Sequence, residues 1–292
     1  IYILNLLIMI NKTIVDIINN AQVSKKQVVY HENNIYAASN IGKIRSTQED
    51  SLIILRHPYN FDFCLIAIAD GMGGLDNGAY ASNLALLEIF KWFIQLPKDC
   101  YYIEKDIYKE LVNKVYYIDS LIRKKCNKGG TTLSIAIVSA HNTIFLNLGD
   151  TRIYIYKNYH LQQISIDHSI SWNLYEKKII ENKDDIRFHK DNNLIYSRLG
   201  CEARRMTISS RILKNIDYDY ILILSDGVTD CLSDELIRKN IKSYNDVNIA
   251  EELVKLSLDT NSYQNYLETS HFYSQIFGGK DNSTAIVLKK SR

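Results

Sequence analysis

The sequence predicts an α+β domain with mainly antiparallel sheets, and three observations carry that prediction. Short, almost wholly apolar segments are bounded by Gly, Asp and Asn; two amphipathic stretches lie between them; and consecutive apolar segments stand too close together to hold a crossover helix. The candidate strands are residues 63–69, 132–139, 143–148, 152–157, 220–224 and 283–288, all rich in Ile, Val, Tyr and Phe. Several are apolar throughout, which requires cover on both faces. Leu84, Leu87, Phe90 and Ile94 recur at three- and four-residue steps and predict a helix over 78–96. Ile107, Leu111, Val115, Ile118 and Ile122 predict a second over 104–125. Residues 143–148 and 152–157 are separated by a short turn and read as a hairpin. Residues 171–193 are polar, lack strong periodicity and read as a flap outside the core.

Composition narrows the class of protein. The chain has 292 residues, 46% of them hydrophobic, and only two prolines, so one large domain is expected rather than two joined by a linker. Lys and Arg number 35 against 33 Asp and Glu, a net charge of +2, and this balance argues against nucleic acid as a partner. Cys64, Cys100, Cys126, Cys201 and Cys231 are scattered and odd in number, which fits buried thiols in a reducing cytoplasm rather than a disulfide framework or a zinc site. The first ten residues are apolar, but Asn11-Lys12-Thr13 interrupts them well short of a membrane span, so residues 1–30 read as an extension of unknown role, either an amphipathic helix or a tail. The domain proper is expected over 31–292.

The chemistry lies at the strand ends. Strand 63–69 runs into Asp70-Gly-Met-Gly-Gly74, strand 220–224 into Ser225-Asp-Gly-Val228, and Asp281-Asn282 immediately precedes strand 283–288. Asp150 sits between two strands, and Glu49-Asp50 follow Arg45 by four and five residues. Singly, an Asp-Gly is most simply a turn. Gathered at one edge of a two-sheet core, such carboxylates would repel one another unless cations neutralised them. An all-oxygen donor set suits Mg²⁺ or Mn²⁺, whereas Zn²⁺ would want His or Cys.

These motifs, taken in order, resemble the metal-dependent Ser/Thr phosphatases related to protein phosphatase 2C, in their compact bacterial form. They are Arg45-Ser-Thr-Gln-Glu-Asp50, Asp70-Gly-Met-Gly-Gly74, Gly130-Thr-Thr132, Gly149-Asp-Thr-Arg152, Asp167-His-Ser169, Ser197-Arg-Leu-Gly200, Ser225-Asp-Gly-Val-Thr-Asp230 and Gly279-Lys-Asp-Asn282. The resemblance implies a four-layer αββα sandwich of two mainly antiparallel sheets flanked by helices. It implies that Asp70 bridges two Mn²⁺ or Mg²⁺ ions, that the Gly71 carbonyl, Asp226 and Asp281 complete their ligands, and that Glu49 and Asp50 support the ions directly or through water. Asp150 would join Asp226 around a third, looser ion, and Arg45 would bind the phosphate of the substrate. The implied reaction is direct attack of a water held between two ions on phosphoserine or phosphothreonine, with Arg45, Asp70 and Asp226 as the catalytic residues and no protein nucleophile.

Animal members carry His where this chain has Met72, so a metal-bound water would protonate the leaving alcohol. Thr151 stands where Ser is commoner, and Thr47-Gln48 replaces the more usual residues before the acidic pair. The expected partners are phosphorylated proteins, the substrates of a cognate Ser/Thr kinase. No nucleic acid and no membrane span are expected, and the chain should act as a cytoplasmic monomer. A catalytically silent binding module of the same fold is the alternative, and it should lack a metal acid; none is missing. A metal-dependent phosphodiesterase would need a basic groove. His168 reads as a structural hydrogen-bonding residue, Gly129-Gly130-Thr131-Thr132 as a turn, and Lys177-Lys178 and Arg204-Arg205 as solvated faces.

Overall fold

A computed structural model of the chain describes residues 28–32, 34–57, 60–73, 77–97, 104–126, 128–201, 206–243, 248–259, 261–262 and 276–290. Residues 1–27, Gly74, Cys100 and Arg204-Arg205 therefore lie outside the described residues. The strands are β1 (Val28–Glu32), β2 (Ile35–Asn40), β3 (Asp50–His57), β4 (Asn60–Met72), β5 (Gly130–Thr131), β6 (Leu133–Val138), β7 (Asn142–Leu148), β8 (Arg152–Lys157), β9 (His160–Gln163), β10 (Ser209–Lys214), β11 (Tyr220–Leu224), β12 (Asn261–Ser262), β13 (Ile276–Phe277) and β14 (Ser283–Lys289). The helices are α1 (Asn77–Phe93), α2 (Glu104–Lys125), α3 (Ile170–Glu176), α4 (Asp226–Thr229), α5 (Asp234–Ser243) and α6 (Ile249–Asp259).

One sheet runs β1-β2-β14-β11-β8-β9 and the other β10-β7-β6-β4-β3, with β5 beside β4. Every described ladder in the two sheets is antiparallel. Alternation along the strands explains the four layers. On β4 the odd residues Leu65, Ala67 and Ala69 join a cluster with Leu86, Ile89 and Phe93 of α1 and Leu111, Val115 and Ile118 of α2. The even residues Ile66 and Ile68 face the other way and meet Ile153, Ile221, Ile223 and Ile286 of the opposing sheet. That sheet turns Tyr154, Leu222, Leu224 and Val287 outward onto Ile237, Leu253 and Val254 of α5 and α6. Strands buried on both faces cannot show a polar alternation, which is why they read as continuous apolar runs.

The five periodic positions chosen for α2 are all buried. On α1, Leu87 is instead exposed, and the helix ends at Phe93, short of Leu96. Three further readings need correction. Residues 143–148 and 152–157 do not form a hairpin: β7 pairs with β6 and β10, β8 pairs with β11 and β9, and the turn between them carries the chain from one sheet to the other. At this turn Gly149 adopts φ +106° and packs against Thr132, where a Cβ would stand 2.6 Å from Cγ2. Residues 28–30, placed with the extension, are part of β1 and pair with β2. Finally, the 171–193 segment is not wholly outside the core. Trp172, Ile186 and Phe188 are buried, Phe188 within the cluster under α5 and α6, and Arg187 donates to the Cys231 carbonyl at 3.3 Å. Apolar anchors spaced irregularly along a polar segment leave no period to read.

Candidate metal centre

The two sheets end together where their acids meet. Asp50 and Asp70 stand directly opposite one another on β3 and β4, at even positions that share the inter-sheet face of Ile66 and Ile68. Like charges at opposed positions repel, and burial strengthens the repulsion. Burial, then Asp226 and Asp281, push the Asp50 carboxyl up to about 7, against hydrogen bonds from Thr284 and Ser225 that pull it down. Thr284 donates to Asp50 Oδ2 at 2.7 Å, while the buried Oδ1 has no hydrogen-bond partner among the described residues. Asp70 is raised well above the ordinary carboxylate range by burial and then by Asp226, Asp50, Asp281 and Asp150. Its backbone is fixed to the neighbouring strand, with its N–H donating to Thr132 Oγ1 at 2.9 Å and its carbonyl accepting from Thr132 N at 2.8 Å.

Asp226 opens α4 directly after β11, so the end of a buried strand delivers it to the same place. Burial and then Asp281 raise it to about 6, and it lies within hydrogen-bond reach of Asp70. Its buried Oδ1 also has no hydrogen-bond partner among the described residues. Gly227 must be glycine here, because a Cβ would fall 2.0 Å from the Asn282 carbonyl. Asp281 is held by Arg45, which donates from Nη2 at 2.6 Å, and by the Asn282 N–H at 2.8 Å. Arg45 also lies 4.0 Å from Glu49 Oε2, so its half-exposed guanidinium sits over the acids. Gly71 donates to the Glu49 carbonyl at 3.1 Å, and a Cβ on Gly71 would meet the Gly78 carbonyl at 2.2 Å. Asp150 lies in the turn that changes sheets, raised well above its ordinary value by burial and then by Asp226, Asp167 and Asp230.

The structure thus brings Arg45, Glu49, Asp50, Asp70, Gly71, Asp226 and Asp281 to one end of the sandwich, with Asp150 acting on the group through Asp226 and Asp70. Two residues of the site went unassigned in the sequence reading. Asp230 is raised well above its ordinary value by burial and the charge of Asp226, and it accepts from Asn192 Nδ2 at 2.8 Å. Its signal was legible, since an acid four residues after Asp226 on a helical turn shares its face. Asn282 is buried, accepts from the Glu49 N–H at 2.8 Å and donates to the carbonyls of Ile41 at 2.9 Å and Thr47 at 3.2 Å, so it fixes the loop that carries Arg45. Nothing in a lone Asn distinguishes such a clamp from a turn residue.

Among the described residues no three His, Cys, Asp or Glu side chains form a ready-made metal cage. The acids stand within charge–charge range, and Arg45 answers part of their charge. The donor set nevertheless fits hard divalent cations. It is all oxygen, it is partly desolvated, and it leaves Asp50 Oδ1 and Asp226 Oδ1 buried without hydrogen bonds, which costs stability unless a cation takes them up.

His168 is tied to the Asp150 turn. Its Nδ1 accepts from the Gly149 N–H at 3.0 Å, so the ring proton sits on Nε2 and points to Ser209 Oγ at 2.8 Å. Burial pushes the imidazole down to about 4. The stability that this neutral ring contributes is complete above about 6.5 and is lost as pH falls toward 4, because the unfolded chain takes up the proton first. A ¹⁵N-edited NMR titration should find His168 neutral with an Nε2 proton down to about pH 4; a midpoint near the ordinary value would contradict this bonding.

A four-layer αββα sandwich with carboxylates gathered at its sheet ends is the class of architecture to which the chain conforms. Within it, the chain belongs to the protein phosphatase 2C family, whose sequence profile matches residues 46–260. The chain is 27% identical over 255 residues to the serine/threonine phosphatase stp of Listeria monocytogenes, covering 85% of this chain and 92% of that protein. It is 26% identical over 228 residues to protein phosphatase PhpP of Streptococcus pneumoniae, covering 77% and 85%. Its fold is shared with serine/threonine phosphatase Stp1 of Staphylococcus aureus (TM-score 0.75, 23% identity, 92% of this chain and 99% of that one). The Mycobacterium tuberculosis phosphatase PstP/Ppp matches with a TM-score of 0.67 at 23% identity, over 91% of this chain and all of that one. Among the described residues no helix is long and apolar enough to cross a membrane.

Proposed function

We propose that this chain is a protein serine/threonine phosphatase that removes phosphate from phosphoserine and phosphothreonine with Mn²⁺ or Mg²⁺. The observation that carries the reading is the opposed, desolvated acid group at the sheet ends, with Asp50 Oδ1 and Asp226 Oδ1 left without hydrogen bonds. Asp70 and Asp226 would hold two ions between them, with Asp281 and the Gly71 carbonyl beside them and Glu49 and Asp50 behind; Asp150 and Asp230 would hold a third with Asp226. When bound, such ions supply a water made nucleophilic near neutral pH and positive charge for the attacking and leaving oxygens.

The protein's own part is binding and orientation. Arg45 offers a planar pair of donors to two phosphate oxygens, and its half-exposed position lets it turn from Asp281 toward a ligand. Thr132 anchors the backbone of Asp70, and Thr284 holds the Asp50 carboxylate itself. The substrates would be phosphoproteins produced by a Ser/Thr kinase. The buried thiols of Cys64, Cys126 and Cys231 support a reducing, cytoplasmic setting.

The test is a chelation and add-back assay offering phosphothreonine peptide, phosphotyrosine peptide and DNA side by side. Activity on the phosphothreonine peptide that disappears with chelator and returns with Mn²⁺ or Mg²⁺ is expected; metal-independent turnover, or a preference for DNA, would refute the reading. Arg45→Ala should raise KM for phosphate monoesters by roughly tenfold or more, the worth of one charge-assisted hydrogen bond, with a smaller change in kcat. An unchanged KM in steady-state kinetics would place Arg45 outside the binding site.

A further inference from the structure

A second arginine stands on the far side of the acid group. The ladders of β4 with β6 and with β5 keep one register, from Cys64 opposite Val138 through Gly71 opposite Thr131 to Met72 opposite Gly130, which sets Thr132 opposite Asp70. Residues 198–200 add a further neighbour beyond β5: Thr131 and Leu199 form an antiparallel bridge, with Thr131 N–H donating to the Leu199 carbonyl at 3.2 Å and Leu199 N–H to the Thr131 carbonyl at 2.9 Å. That register sets Arg198 opposite Thr132. Asp70, Thr132 and Arg198 therefore form one row across three strands, and residues directly opposite one another share a face. Two strand spacings put the Arg198 backbone about 10 Å from that of Asp70.

The guanidinium lies over Gly130, where a Cβ would fall 2.3 Å from Nη1; Gly130 stands opposite Met72, two residues past Asp70 on β4. Its backbone is clamped on both sides. Gly200 N–H donates to the buried Asp119 at 2.8 Å, and Ser197 Oγ exchanges hydrogen bonds with Thr207, at 2.7 Å from the Thr207 N–H and 3.1 Å to its carbonyl. Among the described residues Arg198 has no hydrogen bond, ion pair or ring contact of its own. Arg45, across the site, is already engaged with Asp281. A positioned, partly buried guanidinium without a partner calls for an anion, and because the side chain runs toward Gly130, opposite Met72 and two residues past Asp70, an acidic side chain one or two residues along a bound peptide is placed to supply it.

We propose that Arg198 is a specificity-determining residue that pairs with an acidic side chain flanking the phosphorylated residue of the substrate. This rests on the phosphatase reading above. The test uses the Mn²⁺-loaded full chain and matched phosphothreonine peptides carrying Glu or Gln at the two positions on either side of the phosphoresidue. Wild type should favour the Glu peptides in kcat/KM by about tenfold, Arg198→Gln should bring the ratio of Glu to Gln peptides to about one, and Arg198→Lys should restore part of it. A ratio that is equal in wild type and Arg198→Gln, or an equal loss on both peptides, as a merely structural role would give, overturns the proposal. Turnover of neither peptide by the wild type overturns the phosphoprotein reading, and this proposal with it.

Discussion

Asp226→Asn should lower metal-dependent hydrolysis of a phosphothreonine peptide by ~100-fold or more, the loss expected when several kcal/mol of metal-borne charge stabilisation are removed. The fold should persist, because the substitution keeps side-chain volume. Asp226 is the common neighbour of the group: its charge acts on Asp50, Asp70, Asp150 and Asp230 alike. Its removal also relieves repulsion, so the metal-free variant should melt no lower than metal-free wild type while losing most of the upward shift that Mn²⁺ gives. Peptide turnover and melting curves with and without metal check both halves. Near wild-type turnover, or an undiminished Mn²⁺ shift, would remove Asp226 from the centre.

The second large effect is a pH slope that changes sign with metal. In the metal-free protein, Asp50 and Asp226 titrate at about 7 and about 6, above the 3.8 of the unfolded chain. The folded state therefore holds more protons over that window, and the stability so gained is complete below about 4 and is lost as pH rises toward 7. His168 works in the opposite direction but is one group against several carboxyls. Bound cations require the carboxylates ionised, so apparent Mn²⁺ affinity should weaken ten- to hundredfold for each pH unit below about 6, one tenfold step per proton displaced. Calorimetry in buffers of different ionisation enthalpy would count the protons released. Metal affinity that does not vary between pH 5 and 7 would contradict the raised carboxyl values.

Asp70, Asp150, Asp226 and Asp281 were legible because each follows or precedes an apolar strand, whereas Glu49-Asp50 were marked only by their spacing from Arg45. Asp70-Gly71 and Asp226-Gly227 are cases where the glycine has steric work to do against a facing carbonyl. The strand ranges followed for the same reason. What stayed hidden depended on distant partners. Strands β1, β2 and β10 have mixed composition and form through pairing, β1 with β2, β2 with β14 and β10 with β7, rather than through their own pattern. The change of sheet at Gly149 looks like a hairpin in sequence, since either path uses the same short turn; only the packing against Thr132 decides it. Asp230 and Asn282 acquire meaning from neighbours far away in the chain.

The acids come from both sides of the sandwich: Asp50 and Asp70 belong to one sheet, Asp226 and Asp281 to strand ends of the other. An ion shared among them, as proposed above, would therefore also be a rivet driven through the two layers. Elsewhere the layers adhere by oily side chains; at this extremity Thr284–Asp50 and Glu49–Asn282 already stitch them, and the proposed ions would add a second fastening made of the same oxygens as the chemistry, so that stripping divalent ions would both idle the enzyme and loosen that end.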